Sequence, residues 1–242
     1  MGFVRQSFVR GALVFRDDAH TKRWVDAIGS NVVKYINDFT GGPTTDAGFD
    51  SMTEWTITRV EAGASESTIT RIDGSGGFLR ITTDANDNDG INMQLKESWE
   101  VTTDQTLYVG FMGVTLSEAT QSDIFMGLSI TATDILGGVT DSIGFRKVDA
   151  STSVGFLVEK DSTETLSAGV STMDTSSHDY EFFWDGATSE LKVFVDGVEK
   201  TAPALTNLPN DEALALSLHC LAGSTTAKTF DFDCIRCIQI GR

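Results

Sequence analysis

The stretch YEFFWDGATSELKVFVDGVEK, Tyr180–Lys200, decides the fold. It holds two Asp-Gly pairs, Asp185-Gly186 and Asp196-Gly197, each after an apolar, aromatic-rich run. Asp-Gly supplies the positive φ that tight hairpin turns need. Between the pairs, Leu191, Val193 and Val195 share one face, with Lys192 and Phe194 opposite. A period of two is the mark of a half-buried strand. The stretch therefore reads as sheet joined by turns. Trp184, beside the first turn, is its candidate ligand-binding residue.

The same pattern extends outward. WTITRV (55–60), STITRI (67–72), GFLRITT (77–83), INMQLK (91–96) and TLYVGFMGV (106–114) are short runs rich in β-branched and aromatic residues. IFMGLSIT (124–131), SIGFRKV (142–148), SVGFLVEK (153–160), ALALSLH (213–219) and KTFDFDCIRCIQI (228–240) continue the series. Gly, Asp, Asn and Ser separate them. About a dozen strands exceed a minimal immunoglobulin domain and fit an all-β, antiparallel, two-sheet jelly roll. The last run changes phase near Cys234–Cys237, where Arg236 interrupts it, which predicts a bulge or a strand passing from core to edge.

Residues 1–38 differ in character and read as an N-terminal docking arm, with the sandwich over 39–242. DDAHTKRWVDAIGS (17–30) offers Asp18 or Thr21 as an N-cap, Trp24 and Ile28 four apart, and Gly29 as a stop, so a short helix is expected. The arm's apolar residues Phe3, Phe8, Val14, Phe15 and Trp24 are the candidate partner-docking set.

Composition narrows the function. The 242 residues carry a formal net charge of −17. Residues 1–40 hold six Lys or Arg and four Asp, a net of +2, which leaves −19 for the remainder. Such a body repels the phosphate backbone that supplies most nonspecific nucleic-acid affinity, so no nucleic-acid partner is expected. No apolar run approaches the ~20 residues of a membrane span, so no membrane partner is expected either. The start lacks the continuous apolar segment of an export leader. The three cysteines, Cys220, Cys234 and Cys237, give no disulfide framework and read as buried thiols.

Few motifs carry chemistry. His20, His178 and His219 show no metal-ligand spacing. Cys234-x-x-Cys237 lies in a strand, where residues three apart face opposite ways, so it is neither a redox pair nor a zinc half-site. DANDNDG (84–90) clusters oxygens suited to Ca²⁺ through Asp84, Asn86 and Asn88, but its glycine falls one place late for an EF-hand. The weak Ca²⁺ candidate stands beside the reading of a polar turn, with no cofactor as the expectation. No nucleophile elbow or phosphate loop occurs, and the chain is expected not to be an enzyme.

Three segments together resemble a known group. They are IGFRKVDASTSVGFLVEKDSTET (143–165), FFWDGATSELKVFVDGVEK (182–200) and NLPNDEALALSLHCLAGSTTAKTFDFDCIRC (207–237). The text is similar to tailed-bacteriophage virion proteins with a concanavalin/laminin-G-like jelly roll. It departs from them at Cys234-Ile235-Arg236-Cys237. The resemblance implies a structural virion protein that decorates or cements the outer capsid surface. It also implies assembly in the host cytoplasm, the major capsid protein as partner, and a homo-oligomer such as a trimer. The alternative is a glycan-binding module of a tail fibre or spike used in host adsorption.

Overall fold

A computed structural model of the chain describes residues 4–18, 20, 22–61, 65–74 and 76–241. Phe3 and Thr21, named above, lie outside the described residues. The chain runs β1 (Val4–Val9), β2 (Ala12–Asp17), β3 (Trp24–Ile28), β4 (Val32–Asn37) and a one-turn helix α1 (Asp46–Asp50). Then follow β5 (Thr56–Val60), β6 (Thr68–Ile72), β7 (Phe78–Thr82), β8 (Gly90–Gln94), β9 (Thr106–Leu116) and β10 (Ser122–Ser129). A second short helix, α2 (Ile135–Gly138), precedes β11 (Ser142–Lys147), β12 (Ser153–Lys160), β13 (Thr163–Thr172) and β14 (His178–Asp185). The chain closes with β15 (Glu190–Val195), β16 (Val198–Lys200), β17 (Ala215–Ala222), β18 (Thr229–Phe232) and β19 (Cys234–Ile240).

These strands form a jelly-roll sandwich. The first large sheet has the order β13-β12-β11-β10-β17-β8-β5. The second runs β16-β15-β14-β9-β18-β7-β6, with β19 also on β9 and β4 outside β19. The strand pairs are antiparallel, as alternation and short turns require. Between the sheets lies one continuous core that includes Phe145, Phe156, Phe182, Phe230 and Phe232. Phe156 meets both Phe145 and Phe182 edge-on, with centroids 4.9 and 5.3 Å apart. Such edge-to-face pairs add to area burial.

The stretch at 180–200 holds its sheet reading with one change. Asp196 and Gly197 take φ +53° and +73°, the expected two-residue turn between β15 and β16. Asp185 instead pairs with Glu190 across a longer loop, and its left-handed residue is Ser189. Gly186 is needed for space: a Cβ there would sit 2.2 Å from the Thr102 carbonyl oxygen. The phase change near Cys234 is a break at Asp233. Asp233 donates its amide to the Met112 carbonyl at 3.0 Å, opposite Gly113 at φ +64°. The break puts Phe230, Phe232, Ile235 and Cys237 in the same core.

The N-terminal segment departs from expectation. Among the described residues of 17–30 no helix forms; β1, β2 and β3 make a three-stranded sheet of their own. Arg10-Gly11, at φ +45° and +84°, turns β1 into β2. The register slips between Phe15 and Arg16, so Trp24 and Ala27 face the same way. They and Val14 pack on Tyr108, Phe183, Ile238 and Ile240 on the outer face of the second sheet. Tertiary burial of Trp24 outweighs the helical spacing of Trp24 and Ile28, a weak local preference.

Candidate functional site

The outer face of the first sheet carries the polar cluster. Alternation puts Ile91, Met93, Ile124, Met126, Leu218 and Ile143 in the core. It therefore turns Asn92 and Gln94 on β8, Ser217 and His219 on β17, Phe125 and Ser129 on β10, and Ser142 and Arg146 on β11 outward. Yet β10 and β17 are buried along their whole length, so this face too is covered. The cover is the strap over 131–139, whose Ile135 and Val139 pack on Phe125.

Two amides hold the strap. Gln94 accepts from the Ala132 amide at 2.9 Å and donates to the Ile130 carbonyl at 3.0 Å. Asn92 donates to the Ala132 carbonyl at 2.5 Å. Asp134 caps α2, accepting from the Leu136 and Gly137 amides at 3.1 Å. Beneath lies His219, at 0% exposure, with neither ring nitrogen hydrogen-bonded. Burial lowers its pKa to about 4, against the weak pull of Asp134, whose Oδ1 is 3.7 Å from Nε2.

Beside α2 the face opens into a cavity of about 290 Å³, lined by Ser142, Arg146, Glu159 and Glu164 among others. Glu159 and Glu164 are directly opposed on β12 and β13. Ser142 Oγ donates to Glu159 at 3.1 Å. Arg146 forks onto Glu164, with Nη2 2.9 Å from Oε1. Burial first, and Glu164 among the lesser causes, raise the Glu159 pKa. One carboxyl thus leans toward its acid form while its neighbour is ion-paired. Carboxylates whose environments push them apart in this way can divide acid and base roles.

The residues singled out from sequence fall in several places. Trp184 is 2% exposed, belongs to the main core and donates Nε1 to the Thr102 carbonyl at 2.8 Å. It is scaffold rather than a ligand platform. Val14 and Trp24 are buried against the chain's own second sheet, and Phe15 is half-buried. Phe8, at 78%, remains open to a partner. Cys220 and Cys237 are fully buried, with thiol pKa values pushed up by burial.

The acidic loop rearranges its candidates. Asn86 donates to Asp84 at 2.7 Å and to Asp89 at 3.2 Å. Asn88 sits at φ +65° and donates its amide to the Ala222 carbonyl, which makes it a turn residue. The groups near enough to share a cation are Glu61, Asp84 and Asp89, with one oxygen from each within 4.8 Å of the others.

Sequence reasoning missed Glu181. It is fully buried, accepts from Tyr108 Oη at 2.6 Å and Arg23 Nε at 2.7 Å, and has His20 Nε2 at 3.5 Å. Burial alone would raise its pKa, but His20, Arg23 and Tyr108 together bring it down to about 2. Its polar place in YEFFW, next to a buried Tyr180, was the only signal.

No family model matches the chain, and no curated protein matches it in sequence. Solved structures do match in fold. A protein of unknown function from Shewanella oneidensis MR-1 is 12% identical with a TM-score of 0.60, covering 89% of this chain and 90% of that one. The Emp47p carbohydrate recognition domain is 9% identical with a TM-score of 0.55, covering 85% and 96%. A family 16 glycoside hydrolase endo-glucanase from Bacteroides ovatus is 10% identical with a TM-score of 0.56, covering 83% and 98%.

The neighbours are concanavalin-like jelly rolls, which agrees with the fold read from sequence. They also correct one expectation. The chain was expected not to be an enzyme, yet several structures sharing its fold are glucan hydrolases. That expectation passed over a Glu-x-Asp-x-x-Glu run that the sequence holds, Glu159-Lys160-Asp161-Ser162-Thr163-Glu164. The run does not lie along one strand: Asp161 and Ser162, at φ +51° and +60°, turn β12 into β13, so Glu159 and Glu164 meet across a hairpin.

Proposed function

We propose that the chain is a jelly-roll module of a phage virion that engages polysaccharide on the outer face of its first sheet, as in host adsorption. The observation that carries this reading is the opposed pair Glu159 and Glu164, flanked by Ser142 and Arg146, in a cavity beside a short strap. Carboxylates and a guanidinium suit sugar hydroxyls, and a carboxyl leaning toward its acid form suits protonation of a glycosidic oxygen. The virion setting rests on the sequence resemblance. The lectin and hydrolase neighbours are compatible with a glycan ligand.

The test combines a glycan array with a reducing-end assay on β-glucans and bacterial surface polysaccharides. Binding to at least one glycan is expected, weakened about tenfold or more by Glu159→Gln or Arg146→Gln. Hydrolysis, where it occurs, falls about 100-fold or more in Glu159→Gln. A folded protein with no bound glycan and no new reducing ends overturns the reading.

A second reading keeps the capsid as partner. The specific observation is β1, an edge strand with Val4 and Phe8 exposed at 54% and 78% beside the basic Arg5 and Arg10. An unpaired edge with apolar side chains is a ready template for another chain. Removing residues 1–38 is the wrong test, because it strips β4 from the sheet and bares Tyr108 and Phe183. Phe8→Asp is the right one: it should lower copy number on purified particles, and full occupancy would sink this reading.

A further inference from the structure

At the other end of the first sheet, beyond β5, the edge of the main core is open. A cavity of about 560 Å³ lies there, walled by β4, β6 and the segment carrying α1. Small-molecule sites commonly span roughly 300–1,000 Å³. Phe39, Phe49 and Trp55 give it an apolar wall continuous with the core. Phe39 is held in a left-handed backbone, φ +56°, an uncommon state for a bulky residue. Its amide donates to Asn37 Oδ1 at 2.8 Å, and its carbonyl lies where any Cβ on Gly77 would come within 2.4 Å. Strain of this kind clusters at ligand sites.

Two of the donors that line this cavity, Arg71 and Tyr35, have bonding capacity left. Arg71 on β6 shares parity with the fully buried Ile69, so alternation turns it into the sandwich. Its Nη1 is buried and has no hydrogen-bond partner. Tyr35 on β4 is the second. Its hydroxyl oxygen accepts from Asn37 Nδ2 at 2.9 Å and from Trp55 Nε1 at 3.2 Å. Both acceptor positions are then used, which leaves the hydroxyl hydrogen free to donate. Glu54, the only carboxylate among the described lining residues, supplies an acceptor.

The geometry points to a binding site for an acidic monosaccharide unit, a hexuronate. Its carboxylate meets Arg71 and Tyr35, its ring lies on the aromatic wall, and a hydroxyl reaches Glu54. Guanidinium–carboxylate contacts are strong and directional, which makes Arg71 the selective element. The site is separate from the Glu159 cavity and does not depend on it.

The test follows the Trp55 indole N–H resonance, which reports on Tyr35, during titration with glucuronate and with galacturonate. Glucose and the methyl ester of glucuronate are the controls. One uronate should shift the resonance saturably and the controls should not. Arg71→Gln should weaken binding about tenfold or more, Tyr35→Phe less, and Arg71→Lys should retain part of the response.

An inward arginine on an edge strand also discourages edge-to-edge pairing. If that is its whole role, Arg71→Gln associates and the intact protein ignores both uronates, which overturns the site. Equal shifts by glucose, or undiminished binding in a folded Arg71→Gln, overturn it as well. If Arg71→Gln fails to fold, Tyr35→Phe decides: loss of affinity supports the site, and wild-type affinity sinks it.

Discussion

The two large sheets each have a covered outer face, and the two covers are built differently. Over the second sheet lies a three-stranded layer with its own apolar core and a buried charge, Glu181, paired with Arg23 and Tyr108. Over the first sheet lies a short strap that buries few apolar side chains and leaves the His219 nitrogens and Asn92 Oδ1 without partners. A buried polar atom left unpaired costs roughly 1–3 kcal/mol; the layer leaves Trp24 Nε1 unpartnered as well, but sets a larger apolar core against that cost than the strap does. The layer is a fixed part of the fold. The strap is the cover that a ligand could displace at least cost, and it borders the Glu159 cavity.

The largest expected effect tests the fixed cover. Trp24 is fully buried, 5.6 Å from the Phe183 ring and stacked toward Tyr108. Trp24→Ala should cost about 3–5 kcal/mol, measured by urea unfolding, because it leaves a cavity the rigid second sheet cannot close. A loss near 1 kcal/mol would mean the layer is held by Glu181 and its partners rather than by packing.

Acid should separate the two covers. His219 has its folded pKa near 4, below the ordinary 6.5. The unfolded chain therefore binds the proton first, and stability falls as pH drops from about 6.5 to about 4, by up to about 3 kcal/mol. Glu181 has its folded pKa near 2, below the ordinary 4.5. Its contribution is full above about 4.5 and is lost only as pH falls toward 2. His219→Leu should flatten the upper window and leave the lower one. An unchanged upper window in that variant would show that His219 is not the group responsible.

The difference between the covers also explains what was legible in the sequence. The sandwich was legible because burial on one face writes itself as a period of two, as in LKVFV at 191–195. The strap was not, because it depends on which strands become neighbours. The Glu159–Glu164 spacing stands in the sequence as Glu-x-Asp-x-x-Glu, but only the Asp161-Ser162 turn and the β12–β13 register make the two acids opposite. Glu181 was hidden for the same reason: its partners Arg23 and Tyr108 come from distant parts of the chain. The N-terminal layer was misread because Trp24 and Ile28 fit a helix face as well as a strand. The Arg10-Gly11 turn between VRQSFV and ALVFRD was the clue that settles it.

The smallest expected effect probes the strap alone. Asp134 is more than half exposed, caps α2 through two amides, and is the carboxylate nearest His219. Asp134→Ala should cost about 1 kcal/mol, the usual value of a side-chain cap. That loss should be local. Hydrogen exchange should quicken at Leu136 and Gly137 and stay unchanged in β2 and β3, since low-stability segments open without global unfolding. The same substitution removes the one group that raises the His219 pKa, so the upper acid window should extend to lower pH. If exchange quickens equally in the N-terminal layer, the two covers open together, and the strap loses its claim to be the separately movable one.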